Sequence, residues 1–208
     1  MPSEVEQRLH DGLAELGVAI DGTLTGRLLQ YLLLLQQWNR AYNLTSLTEL
    51  NDMAVRHILD SLTARPFLAR ATILDAGSGA GLPGIPLALL EPARSFTLLD
   101  SVGKKVRFLQ QAVTELRLPN VVPVQARLEQ WLPGTVFDTV MCRAFGSLAE
   151  FAAACGRFVA PAGRLVAMKG RRPTAEIAAV PSPWRVTVVE RVTMPGLDAE
   201  RHIVVMER

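Results

Sequence analysis

Thr72-Ile73-Leu74-Asp75-Ala76-Gly77-Ser78-Gly79-Ala80-Gly81-Leu82-Pro83-Gly84-Ile85-Pro86 is the stretch that decides how the rest of the chain is read. Thr72 to Ala76 has the composition of a short buried strand and carries one acid, Asp75, near its end. Gly77, Gly79 and Gly81 alternate with small residues. Glycine is needed where φ is positive or where a ligand must come close to the backbone. Pro83 suits the first turn of a helix, where its missing N–H was unpaired anyway. A strand, a glycine turn and a helix start make the βα arrangement that binds nucleotides.

Two ligand classes fit this turn. Gly79-Ala80-Gly81-Leu82-Pro83-Gly84 matches the dinucleotide fingerprint G-x-G-x-x-G. A pyrophosphate, however, wants free N–H groups at the helix start, and Pro83 and Pro86 each remove one. In the other frame, Asp75-x-Gly77-x-Gly79-x-Gly81 resembles the first motif of S-adenosylmethionine (SAM) methyltransferases, whose ligand carries no phosphate. Asp100 ends the next expected strand, and an acid there accepts the two ribose hydroxyls of an adenosine, in NAD as in SAM. A plain tight turn would not need three alternating glycines and two strand-end acids.

The chain has 208 residues, 49% of them hydrophobic, enough for one α/β domain with a small addition. Its formal net charge of +2 permits an RNA partner without demanding one. Only three of its 22 basic residues are lysines, namely Lys104, Lys105 and Lys169. Cys142 and Cys155 form no C-x-x-C, so neither a metal site nor a disulfide framework is expected, and a reduced cytoplasm is the default. The first residues lack the basic and apolar segments of a signal peptide. The leucine-rich run from Leu28 to Leu35 falls short of the ~20 apolar residues that span a bilayer.

Ser3 and Glu6 have the spacing of a capping box. Val5, Leu9, Leu13 and Leu16 then form one helical stripe, ended by Gly17 and an Asp21-Gly22 turn. Thr23 or Thr25 is placed to cap a second helix reaching Arg40, and a third helix is expected from Asn51 to Leu62. These elements make residues 1–70 a helical extension of a core at 71–208, within a single domain. From Thr72 the pattern alternates. Strands are expected at 72–76, 95–100, 121–126, 136–143 and 163–168. Helices are expected near 84–90, 103–117, 128–131, 147–159 and 174–180. That alternation predicts a parallel sheet covered on both faces. Trp184 to Met194 and Arg201 to Glu207 are strand-like and joined by Pro195-Gly196-Leu197-Asp198, which predicts a hairpin and one reversed strand. The fold class expected is a Rossmann-like α/β domain with a seven-stranded, mostly parallel sheet and an antiparallel last strand.

Four constellations carry chemistry. On a helix, His57, Asp60 and Ser61 share a face. No nucleophile elbow is present for a hydrolytic triad, so this face either ties the helices to the glycine loop or lines the substrate side of the pocket. After Asp100, Ser101 is placed to cap a helix whose first turns carry Lys104, Lys105 and Arg107, the wrong end for the helix dipole. Cations so placed suit an RNA phosphate or a solvated face. Leu128 and Glu129 follow the third core strand, where an adenine ring can lie. The fourth strand delivers Arg143 to the carboxyl edge of the sheet, fit to hold a cofactor carboxylate or a substrate phosphate. No Pro-Cys or Asn-Pro-Pro-Tyr-like motif points to cytosine-C5 or exocyclic-amine methylation.

Assembled, these residues closely resemble the RsmG (GidB) family of bacterial 16S rRNA guanine-N7 methyltransferases. The resemblance rests on Asn43-Leu44-Thr45, Arg56-His57-Ile58-Leu59-Asp60-Ser61, the glycine stretch through Pro86, Thr97-Leu98-Leu99-Asp100-Ser101 and Lys104-x-Val106-Arg107-Phe108-Leu109. It continues in Arg143-Ala144-Phe145, Lys169-Gly170 and Leu197-Asp198-x-Glu200-Arg201-His202. It implies a class I SAM-dependent enzyme that methylates N7 of one guanine in the decoding-region loop of 16S rRNA, leaving S-adenosylhomocysteine. Asp75, Gly77, Gly79, Gly81, Leu82, Asp100, Ser101, Leu128, Glu129 and Arg143 would serve the cofactor. Arg56, Lys104, Lys105, Arg107 and Lys169 would meet the RNA. Arg143, Lys104, His57 and Asp60 would position the reactants, because N7 carries no proton and its attack needs no general base. The partner implied is 16S rRNA or the small subunit, met by a monomer without metal or membrane. A dinucleotide oxidoreductase and a non-catalytic RNA-binding module are the other classes.

Overall fold

A computed structural model describes residues 2–19 and 22–208 of the chain. The side chain of Ser3, expected to cap the first helix, and Asp21 of the expected turn lie outside the described residues. Helix α1 (Pro2–Glu15) buries Val5, Leu9 and Leu13 as its apolar spacing predicts. Helix α2 (Gly22–Tyr42) begins earlier than expected, which puts Thr23 and Thr25 inside it and not at its cap. The third helix is not uniform. Helix α3 (Leu50–Met53), a π-helical segment (Ala54–Leu59) and α4 (Asp60–Leu62) follow one another without a break. Such widened turns inside helices are frequent at functional sites.

The strands are β1 (Thr72–Ala76), β2 (Ser95–Asp100), β3 (Val121–Gln125), β4 (Phe137–Arg143), β5 (Val159–Lys169), β6 (Arg185–Arg191) and β7 (His202–Glu207). They form one seven-stranded sheet in the order β3-β2-β1-β4-β5-β7-β6. β1 to β5 pair in parallel, and β7 runs antiparallel to both β5 and β6. The chain moves outward from β1 to β3, then crosses back to lay β4 on the other side of β1. This reversal is the topological switch point, and ligands of such sheets bind beside it at the carboxyl ends of the strands. β5 starts four residues before the expected 163. Val159 pairs with Phe137, and Gly163 lets the chain pass close to the carbonyls of Phe137 and Asp138, where a Cβ would come within 2.9 Å of both. β6 ends before Met194, which instead makes an isolated bridge to Leu197.

Successive residues along the parallel strands serve opposite faces, so both faces are apolar. Ile73, Leu98, Met141 and Val166 join one core with Leu13, Leu28 and Leu35 of the N-terminal helices and with α5 (Gly84–Leu90) and α6 (Gly103–Glu115). Leu74, Leu99, Val140 and Leu165 join the other with α7 (Leu148–Cys155) and Trp184. The N-terminal helices thus share a core with the sheet.

Candidate active site

The glycine turn is held from below and from both sides. Asp75 is fully buried, and its Oδ2 accepts a hydrogen bond from the Gly84 N–H at 2.8 Å. Burial pushes its carboxyl up to about 7, against the Gly84 bond and the charge of Arg143, which favour ionisation. The N–H groups of Gly77 and Ser78 donate to the Leu99 carbonyl at 2.8 and 3.0 Å. The Gly79 N–H donates to Asp100 Oδ2 at 2.9 Å, and Tyr31 of α2 donates its hydroxyl to the Ala80 carbonyl at 2.6 Å. Gly77 and Gly79 have φ of +75° and +60°, and a Cβ on either would meet nothing within 4 Å, so the turn presents open, side-chain-free backbone.

The start of α5 offers no amide to a phosphate. Gly84 donates to Asp75, Ile85 to Gly81, Leu87 to Pro83, and Pro86 has no N–H. A dinucleotide pyrophosphate, which binds through such amides, has no seat here. The oxidoreductase alternative loses its one support.

Beside the turn lies a cleft of about 490 Å³ over the carboxyl ends of β1, β2 and β3. Gly77, Asp100, Ser101, Leu128 and Glu129 line it, as do Lys105 and Arg127. Asp100 organises its floor. Its Oδ1 accepts from the Val102 N–H at 2.8 Å, and Lys105 Nζ stands 3.8 Å from its Oδ2. The residue before α6 is therefore fixed by Asp100, and the expected cap by Ser101 is not made.

Across the switch point lies a second cleft, of about 590 Å³, over the carboxyl ends of β4 and β5. The π-helical segment supplies Arg56 and His57, α4 supplies Asp60, and β4 supplies Arg143. Asp60 Oδ1 is 2.9 Å from Arg201 Nε, and its Oδ2 is 3.4 Å from Arg143 Nη1. His57 Nε2 is 2.8 Å from Thr45 Oγ1. Burial, reinforced by the charge of Arg143, lowers the imidazole to about 4, so His57 is neutral at pH 7. Lys169 donates to the Gly146 carbonyl at 2.6 Å and to Glu176 at 2.8 Å. After Arg143 the chain turns through Ala144 at φ +57°, a left-handed conformation that non-glycine residues take at some cost and often at working sites.

Residues 25–204 match the family model GidB, described as rRNA small subunit methyltransferase G. The chain belongs to the GidB family. It is 45% identical over 195 residues to the ribosomal RNA small subunit methyltransferase G of Shigella flexneri, covering 94% of both chains. To the protein of that name in Escherichia coli K12 it is 44% identical with the same coverage. Among solved structures it is similar to TrmN from Thermus thermophilus, with TM-score 0.57 and 18% identity. That likeness covers 83% of this chain and 52% of TrmN, so the chain spans about half of it. It is also similar to TYW2 of M. jannaschii in complex with AdoMet, with TM-score 0.53 and 15% identity over 72% of this chain and 76% of that one. At such identities the likeness is one of fold, the class I methyltransferase fold.

SAM is the methyl donor of this GidB chain, and the site fits it. The open backbone at Gly77 and Gly79, the strand-end carboxylate of Asp100 and the absence of phosphate-binding amides at α5 suit a phosphate-free adenosine. Of the cofactor residues expected from sequence, Gly77, Asp100, Ser101, Leu128 and Glu129 share one cleft, while Arg143 lines the other. Asp75 and Leu82 are buried beneath the turn, and Gly81 faces Ile85 and Leu109, so these three shape the loop and line neither cleft.

The expected positioning and RNA residues are divided. Arg56, His57, Asp60, Arg143 and Lys169 line the second cleft. Lys104 does not: its Nζ donates to the Tyr42 carbonyl at the end of α2, at 2.7 Å. Lys105 belongs to the first cleft and Arg107 is exposed on α6. Ser61 donates to the His57 carbonyl, so no triad forms. The tie between helices and glycine loop is made by Tyr31, not by His57 or Asp60. Thr45, Tyr31 and Arg201 have no place among the site residues expected from sequence, although Thr45 and Arg201 stand in the motifs that carry the resemblance. Only the folded chain shows what they touch.

Proposed function

We propose that the chain methylates N7 of one guanine in the decoding-region loop of 16S rRNA. One observation supports N7 over a proton-bearing position. Among the described residues that line the second cleft, the candidate bases besides Lys169, whose Nζ donates to Glu176 and the Gly146 carbonyl, are His57 and Asp60. His57 is bonded to Thr45 and weakened by burial, and Asp60 is held by two arginines. Neither is placed to take a proton. Guanine N7 has an in-plane lone pair and no proton, so it needs none. SAM supplies the electrophilic methyl group. The protein's part is to hold the adenosine over Asp100 and the glycine turn and to orient the base across the switch point, which alone can lower such a barrier by several kcal/mol, about 7 or more when alignment is close.

N7 lies in the deep groove of A-form RNA, so the target must be a loop or an unstacked base. The acting form is a cytoplasmic monomer, and the substrate is the RNA of the small subunit, free or within an assembly intermediate. The test is transfer of labelled methyl groups from SAM to small-subunit rRNA from cells lacking the protein. Borohydride–aniline treatment, which cuts at N7-methylguanine, maps the product. One new cut in the decoding-region loop is expected. Label without cleavage would refute N7, and SAM binding with no label in RNA, subunits or intermediates would refute the RNA substrate.

A further inference from the structure

The second cleft gathers two guanidinium groups around one carboxylate. Asp60 is 4% exposed and meets Arg201 through one oxygen and Arg143 through the other. The three residues come from chain positions 83 and 141 residues apart, so the arrangement exists only in the folded molecule. One negative charge against two positive ones leaves an excess positive charge in a concave site. Arg56 adds another at the rim, whereas Lys169 is neutralised by Glu176.

The donors show what is still open. Arg143 Nη1 is spent on Asp60 and on the Arg56 carbonyl at 3.2 Å. Arg201 spends Nε on Asp60 and Nη1 on the Glu200 carbonyl at 3.0 Å. The Nη2 group of each bonds to no other group among the described residues. The unfilled side of a planar guanidinium matches the oxygens of a phosphate. A phosphate suits the chemistry better than the base does. Methylation places positive charge on the purine, and a guanidinium beside the ring would oppose that.

We propose that Asp60 positions Arg143 and Arg201 as a two-guanidinium clamp for a backbone phosphate of the RNA strand carrying the target base. This rests on the function proposed above and assigns part of its substrate site. Asp60 is then a positioning residue, its carboxylate being too fully engaged to read the guanine edge. Burial lowers the imidazole of His57, and the positive charge of Arg143 in this cleft adds to that shift.

The clamp is tested with the full chain, 16S rRNA lacking the modification, and the variants Arg201→Ala, Arg201→Lys and Asp60→Asn, with Arg185→Ala on β6 as the control. The KM for RNA, kcat, and SAM affinity by calorimetry are measured from 50 to 200 mM salt. Arg201→Ala should raise the RNA KM about tenfold and leave SAM affinity within about twofold. The slope of log kcat/KM against log salt should fall by about 0.7, the loss of one single-strand phosphate contact. Arg201→Lys should restore the slope but not the KM, because it keeps the charge without the fork. Asp60→Asn should raise the RNA KM in the same direction with SAM affinity kept. An unchanged slope and KM in Arg201→Ala overturns the clamp while methylation by the parent chain stands. SAM affinity falling as far as RNA affinity overturns it differently, making the anion the carboxylate of SAM. A parent chain that binds SAM and methylates no RNA overturns the function itself, and the clamp with it.

Discussion

At the scale of single residues, the glycine turn is governed by who occupies its hydrogen bonds. The Tyr31 hydroxyl caps the Ala80 carbonyl, and Tyr31 itself is fully buried. Tyr31→Phe should cost about 1 kcal/mol of stability, the usual worth of such a bond, and weaken SAM binding several-fold, read by urea melts and calorimetry. Gly84 is packed against Leu98 and Asp75, and a Cβ there would come within 2.8 Å of Asp75 Oδ2. Gly84→Ala should therefore destabilise the chain by about 1–3 kcal/mol, as overpacked cores do. Lys104 reads from sequence as an RNA contact, but its Nζ sits on the last carbonyl of α2. Lys104→Ala should change the RNA KM by less than twofold and cost only about 0.3–1 kcal/mol, the scale of a cation at a helix C-terminus. A large rise in KM would return Lys104 to the RNA site.

At the scale of elements, the second cleft depends on how the loop after α2 is clamped. The buried Asn39 accepts from the Thr45 N–H at 2.8 Å and donates to the Leu47 carbonyl at 3.1 Å. Thr45 in turn meets His57 on the π-helical segment. Asn39→Ala leaves two backbone groups without their partner and should cost about 2 kcal/mol. It should raise the RNA KM while SAM affinity holds, since Thr45 lines the second cleft and not the first. Element order was legible in the sequence because the parallel strands are buried on both faces and read as apolar runs between turns. The π-helical widening was not: its residues have ordinary helical composition, and only packing reveals the extra residue per turn. Nor was the early start of β5, which needs Gly163 to pass under the carbonyls of β4.

At the scale of the whole molecule, the N-terminal helices and the sheet share one core, and a single folding unit is the form proposed for residues 1–208. Calorimetry should then show one cooperative transition with equal calorimetric and van't Hoff enthalpies. Two buried groups give opposite pH dependences. His57 is lowered from 6.5 to about 4, so between these values the unfolded chain binds more protons and stability rises with pH. Asp75 is raised from 3.8 to about 7, so over that interval the folded chain binds more protons and stability falls as pH rises. The two offset each other between about pH 4 and 6.5. Asp75→Asn should expose the rise due to His57, and His57→Gln the fall due to Asp75, in thermal melts from pH 5 to 7.5. A pH-independent melting temperature in both variants would refute the assignment.

The sequence alone determined the strand–glycine–helix turn, the alternation of strands and helices, the reversed strand after Pro195-Gly196 and the family. All of these are written in local composition and in short motifs, where propensity and spacing act over a few residues. It also named Arg143 and Asp60 as site residues. What each of them does was decided by tertiary structure. Asp75 was drawn under the turn to hold Gly84, Lys104 was drawn to the end of α2, and Asp60 was set between guanidinium groups 83 and 141 residues away. A charged side chain's role follows from which partners the fold brings within about 3 Å, and those partners lie too far along the chain for local pattern to specify them.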